Sequence, residues 1–181
     1  MKSDELISEI VKTSQNHILR AKLLNEFDEF YLNHSQGNRW SALECIEHLN
    51  QYFDYYLPEI ESQINKSNSE RRENFSSGIL GNYFAQSIVP KQNMKKMKSP
   101  KDKNPKGKIL TKSVIEIFIA NVEKLTSLME ISRNLDLEKV KISVSIAKFI
   151  RIRLGDALRF VVNHNERHLQ QAERALTSDY K

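Results

Sequence analysis

Residues 154–176 read LGDALRFVVNHNERHLQQAERAL. The stretch holds no proline, and its one glycine stands near the start. Leu154, Ala157, Leu158, Val161, Leu169, Ala172 and Leu176 recur at three- and four-residue spacing, which marks a helix with one buried face. His164 and His168 fall inside that stripe. At i, i+4 they lie about 40° apart on the helical wheel and one turn apart along the axis, so both imidazoles can point the same way. Two histidines so placed suggest a pair of metal ligands, and the question becomes where a third would come from.

Composition bounds the answer. A chain of 181 residues suits one domain, spanning residues 1–181, with enough length for a sizeable core. Only five glycines and four prolines are present, which favours long uninterrupted helices over many short strands. The single cysteine, Cys45, rules out an intramolecular disulfide and fits a reducing compartment. The N-terminus, MKSDELISEIVK, carries early acidic residues and no apolar run, so it does not read as a signal peptide. No stretch approaches the roughly 18–20 apolar residues of a membrane span. A cytoplasmic location is the expectation.

The net charge of +5 raises the question of nucleic acid. Eight lysines fall in residues 91–108, KQNMKKMKSPKDKNPKGK, which hold two prolines, a glycine and no aromatic residue. Without arginine forks or stacking aromatics, the segment reads as a solvated loop, able at most to steer an anionic ligand toward a nearby pocket. Nucleic acid is therefore not an expected partner.

Four amphipathic stretches organise the chain. The first covers residues 3 to about 33, with Leu6, Ile7, Ile10, Val11, Ile18, Ala21, Leu24, Phe27 and Tyr31 as its stripe and Ser3 as a plausible cap. His17 within it reads as a partly buried structural histidine. The turn NHSQGNRW, residues 33–40, leaves His34 exposed. Ser41 opens the second helix in a capping box with Glu44, and Trp40 just ahead anchors the turn. Ala42, Cys45, Ile46, Leu49, Phe53, Tyr56, Ile60 and Ile64 form the buried stripe, with a bend possible at Pro58. His48 lies on its flank. Cys45 reads as a small core residue and Glu44 as an exposed cap. A long irregular crossover follows, about residues 65–110, with a short helix expected over residues 79–88 that buries Tyr83 and Phe84. The third long helix runs from Thr111 to about Arg133, capped by Thr111 with Ser113. Residues 134–152 alternate through Val140, Ile142, Val144 and Ile146, but one strand without a partner is weak, so an extended connector is preferred. The fold class is all-α: a four-helix bundle with a long crossover between its second and third helices.

Two motifs then stand out. WSALECIEH, residues 40–48, follows W-S-x-x-E-x-x-x-H, and HNERHLQQ, residues 164–171, follows H-x-x-x-H-L-x-Q. Together with the helix order and the place of the long crossover, they resemble the DinB-like superfamily, with its damage-inducible and thiol-transferase-like branches. The resemblance implies a divalent metal held by three histidines, which map to His48, His164 and His168. The segment leading into the last helix, IRIRLG at residues 150–155, departs from the histidine- and proline-rich pattern of many members. Three neutral imidazoles suit zinc or nickel, with iron or copper also compatible, and leave at least one coordination position for water or substrate.

The resemblance thus points to a metal-dependent enzyme that transfers a low-molecular-weight thiol to an electrophile, or to a hydrolase. Its catalytic agent would be bound water or thiolate rather than a named side chain. The crossover over residues 78–108 would be its lid, and a homodimer its implied assembly. The alternative is a non-enzymatic, stress-associated metal-binding or interaction protein. The sequence holds no G-x-G-x-x-G, Walker A, G-x-S-x-G or C-x-x-C motif, which removes the commonest nucleotide, serine-hydrolase and redox readings.

Overall fold

Helix starts in this chain are set by local chemistry, and the clearest is the capping box. The Ser41 side chain accepts from the Glu44 amide at 3.2 Å while the Glu44 carboxylate accepts from the Ser41 amide at 2.8 Å. With both orphan donors satisfied, a helix begins at once and runs through Pro58 to Asn65. In the computed structural model, which describes residues 1–35, 37–91 and 99–177, this is α3 (Ala42–Asn65). The other long helices are α1 (Ser3–Asn25), α5 (Ser113–Ser132) and α6 (Leu154–Thr177). Short helices α2 (Glu29–Asn33) and α4 (Ile79–Ser87) and the hairpin β1 (Lys141–Val144), β2 (Ala147–Arg153) complete the set.

The four long helices form a bundle in which α1 and α3 each pack against both α5 and α6. Its centre is apolar and dense: Leu43, Ile46, Leu49 and Phe53 of α3 meet Ile115, Phe118 and Leu125 of α5 and Leu158 and Leu169 of α6. Phe53 and Phe118 approach to 5.9 Å between ring centres. Each fully buried side chain of this size contributes roughly 1.5–3 kcal/mol by leaving water. No helix among the described residues is long and apolar enough to cross a membrane.

Several details differ from the reading of the sequence. The first helical stripe is two helices, because Asp28 accepts from the Phe30 amide at 2.8 Å and starts α2 afresh. Ser3 is the first helical residue rather than a cap; its hydroxyl donates to the Arg72 carbonyl. Neither Thr111 nor Ser113 caps α5, since their hydroxyls bond each other at 2.7 Å. In α4 the inward residues are Gly81 and Ala85, while Tyr83 is exposed and Phe84 half-buried. The reason is close approach: a Cβ on Gly81 would stand 2.3 Å from the Asp156 carboxylate. Small residues face α6, so Tyr83 turns outward and Phe84 packs only partly against the core.

The preferred connector before α6 is instead an antiparallel hairpin. Ile142 pairs with Ile152 and Ser143 with Arg151, with an irregularity between Ser143 and Val144. Ile142, Val144 and Ile152 are buried against the bundle, while Ile146 and Phe149 are exposed. The partner strand carries little alternation because its outward positions include Phe149 and its inward Ile150 is only half-buried. Glu59 of α3 accepts from both the amide and the hydroxyl of Ser143, fixing the hairpin to the helix.

The hairpin aims α6. Leu154 and Gly155 donate their amides to the carbonyls of Val140 and Leu137, so two orphan donors of the helix start are paired. Gly155 also lets the Phe75 ring in, since a Cβ there would meet ring carbons at 2.6 Å. We expect Gly155→Ala to destabilise the protein by about 1–3 kcal/mol in urea unfolding. In a Phe75→Ala background the same change should cost far less, because the clashing ring is gone. Equal costs in the two backgrounds would show that the ring is not the obstacle.

Candidate metal centre

The capping box sets the phase of α3, and that phase decides where His48 points. His48 lies one turn beyond Glu44 and faces α6, where His164 and His168 stand one above the other. All three are buried, at 3%, 4% and 7% exposure. His48 Nε2 and His164 Nε2 are 3.3 Å apart. The ring centres of His48 and His168 are 4.5 Å apart, and those of His164 and His168 4.7 Å. One nitrogen from each residue falls within 4.8 Å of the others. The structure therefore brings together all three histidines singled out by their spacing.

The hydrogen bonds behind the rings assign their protons. The Lys103 carbonyl can only accept, so His48 donates through Nδ1 at 2.6 Å. His168 likewise donates through Nδ1 to Gln171 Oε1 at 3.0 Å. In the neutral imidazoles this leaves Nε2 as a bare acceptor on each ring. Burial pushes His48 down to about 4, against a weaker opposing effect of the Lys103 carbonyl. Burial also holds His164 and His168 well below the ordinary range, with the neighbouring histidines and Arg167 acting in the same direction. All three are thus neutral at pH 7 and offer lone pairs rather than charge.

This donor set fits a divalent ion. Zinc–imidazole bonds of about 2.0–2.1 Å in tetrahedral geometry put two ligand nitrogens about 3.3 Å apart. The His48–His164 separation matches that chord. A bare His48 nitrogen at this distance from a second ring nitrogen also needs a proton or a cation between them.

An aromatic wall surrounds the histidines. Trp40 lies 4.7 Å from His48 and 5.7 Å from His168 between ring centres. Tyr52 is 4.3 Å from His164 and 4.9 Å from His48, and Phe160 stacks on His164 at 5.7 Å. Burial pushes the Tyr52 hydroxyl up to about 12, so it remains protonated. A small cleft of about 170 Å³, counted with open solvent, lies beside His164 and is lined by Tyr52, Tyr56, Phe160 and Asn165.

Other residues depart from their expected places. Trp40 does more than anchor a turn, since it covers two of the three rings. Glu44 is a cap, but a buried one at 4% exposure, and it also accepts from the Gly107 amide. Of the lysine-rich segment expected to be a solvated loop, residues 92–98 lie outside the described residues. Residues 99–108 pack on the bundle beside His48, with Pro105 buried. His17 is fully buried and donates to Glu166 at 2.9 Å on the α1 side of α6, apart from the cluster. His34 is exposed, as expected. Cys45 is buried in the core, and burial raises its thiol far above the ordinary range. Tyr52 and Gln171 were readable as neighbours, at i+4 from His48 and i+3 from His168. The Lys103 carbonyl carries no side-chain signal.

No curated protein and no solved structure gives a significant match to this chain. A family model described as the DinB superfamily matches residues 18–172, which include the whole of α3, most of α6 and all three histidines of the centre. The chain belongs to the DinB superfamily.

Proposed function

We propose that this chain is a divalent-metal-dependent enzyme that transfers a low-molecular-weight thiol to an electrophile, with hydrolysis as the related chemistry of the same site. The observation that supports it is the meeting of three buried, neutral imidazoles from α3 and α6 with nitrogens within 4.8 Å. His48, His164 and His168 would hold the ion, zinc or nickel first and iron next. A divalent ion bound there supplies a Lewis acid that favours thiolate over thiol, or hydroxide over water.

The chain's own residues set the conditions. Three protein ligands leave a position of a four-coordinate site for a ligand from outside, as in catalytic rather than structural centres. The Lys103 carbonyl and Gln171 amide oxygen hold two rings in one tautomer and raise their basicity. Trp40, Tyr52 and Phe160 exclude water from around the imidazoles. The protonated Tyr52 hydroxyl is a hydrogen-bond donor on the same wall. The small size of the cleft beside His164 favours a second reading, in which the ion is structural and the protein a non-enzymatic stress-associated binder.

Metal content measured by mass spectrometry on protein purified without a histidine tag should give about one ion per chain. His48→Ala, His164→Ala and His168→Ala should each lose it. Thiol transfer, assayed over a panel of thiols and electrophiles, should fall to background in the same variants. Full metal content with no turnover across the panel would favour the structural reading. No metal after reconstitution with zinc, nickel and iron would remove the centre altogether.

A pH dependence follows from the neutral state of the rings. An unfolded histidine titrates near 6.5, while folded His48 sits at about 4. Between those values the unfolded chain binds more protons, so stability rises with pH. The melting temperature of chelator-treated protein should therefore fall as pH is lowered from about 6.5 to about 4. A His48→Gln variant should show a shallower fall. A flat profile in the wild-type protein would contradict the buried neutral imidazoles.

A further inference from the structure

The crossover returns to the bundle through residues 99–108, and its contacts converge on the candidate centre. The Lys103 carbonyl accepts from His48 Nδ1 at 2.6 Å and from the Ser99 hydroxyl at 2.9 Å. The Trp40 indole, whose ring covers His48 and His168, donates to Asn104 Oδ1 at 3.1 Å. The same oxygen accepts from the Lys106 amide at 3.2 Å. Around these, the Lys103 ammonium donates to the Gln51 carbonyl at 2.8 Å and the Lys106 ammonium to the Arg39 carbonyl at 2.6 Å. The Gly107 amide, on a left-handed backbone at φ 81°, turns onto the buried Glu44 carboxylate. Every attachment falls on the turn before α3 or on the first three turns of α3.

We propose that residues 99–108 are a strap whose seating on α3 and metal binding at His48, His164 and His168 form one coupled equilibrium, with Asn104 as the positioning residue that sets Trp40 over the centre. The inference rests on the metal-centre reading. The seated strap supplies the acceptor that holds His48 in the tautomer with Nε2 bare, and only that tautomer can ligate inward. It also fixes, through Asn104, the indole that screens His48 and His168 from water. Coupling of this kind is reciprocal: whatever the strap adds to metal affinity, the metal adds to the order of the strap. Asn104 is exposed, and its side-chain oxygen accepts from the Trp40 indole and the Lys106 amide, so it acts through Trp40.

The test compares wild type with Asn104→Ala and Trp40→Phe, the latter keeping a ring but losing the indole donor. Zinc affinity is read by competition with a chromophoric chelator, and amide hydrogen exchange of residues 99–108 is followed with and without zinc. Both variants should bind zinc roughly 10–100-fold more weakly, the range for lost outer-shell partners of ligands. Zinc should slow exchange across the strap in wild type and much less in Asn104→Ala. Lys101→Ala, a change on the same exposed turn, should match wild type. Wild-type zinc affinity in both variants with no effect of zinc on strap exchange would overturn the coupling while leaving the centre intact. An equal loss in Lys101→Ala would overturn the role of Asn104. A wild-type protein that binds no zinc would overturn the metal reading itself, and the strap proposal with it.

Discussion

Three imidazoles buried between α3 and α6 impose the constraint around which this bundle is built. Burial keeps them neutral, and a neutral imidazole carries one donor and one acceptor. The outward nitrogens of His48 and His168 spend their protons on Lys103 and Gln171, which leaves Nε2 of each as an acceptor, that of His48 lying 3.3 Å from Nε2 of His164. A buried acceptor without a partner costs about 1–3 kcal/mol. The interface is therefore selective: the His48 acceptor takes either the Nε2–H of neutral His164 or a cation held between the rings. That requirement separates this centre from an ordinary helix seam, where Leu or Ile would serve with no such demand.

The long crossover makes sense in the same terms. Closure entropy grows only slowly with loop length, so a connection from Lys66 to Lys112 is tolerated if its ends are held. It is held at both flanks of α6 and α3. Early in the crossover, the Gly78 amide donates to the buried Asp156 carboxylate at 2.8 Å, and α4 settles on α6 through Gly81 and Ala85. Late in it, the 99–108 segment settles on the start of α3. A segment rich in lysine can pack this closely because its ammonium groups reach carbonyls and carboxylates at the surface, among them Gln51, Arg39 and Glu47.

Much of this was legible in the sequence wherever one residue type reports one physical demand. The apolar stripes named the four long helices, the Ser41–Glu44 pair named the start of α3, and the i, i+4 spacing of His164 and His168 named two of the three clustered rings. What was not legible depends on partners distant in sequence. Asp28 interrupts a stripe that continues in phase on either side of it, so α1 and α2 read as one helix. The strand Ala147–Arg153 keeps Phe149 outward, which hides the alternation that would have announced a hairpin. The Lys103 contribution is a backbone carbonyl that any residue would supply. Trp40 read as an anchor because nothing in its neighbours places it over the ring of His168, 128 residues further along the chain.

The position of α6 is also fixed from its other side. By helix geometry Glu166 and Glu173 lie about 170° around α6 from His164 and His168. There Arg20 grips Glu173 through two nitrogens, at 2.7 and 2.9 Å, and reaches Glu166 at 2.7 Å. Hydrogen bonding from His17 is the main reason that the Glu166 carboxyl is pushed down to about 2, so it stays ionised and paired across the neutral range. A paired arginine fork has a narrow tolerance for rotation, in contrast to apolar packing, which accepts small slips. A one-residue rotation of α6 would carry the glutamates away from Arg20 and His17 and turn the imidazoles off α3 together. The ion-pair face and the histidine face therefore act as a matched pair. The first holds α6 at the angle from which His164 and His168 can meet His48, and it does so whether or not the space between those rings is filled.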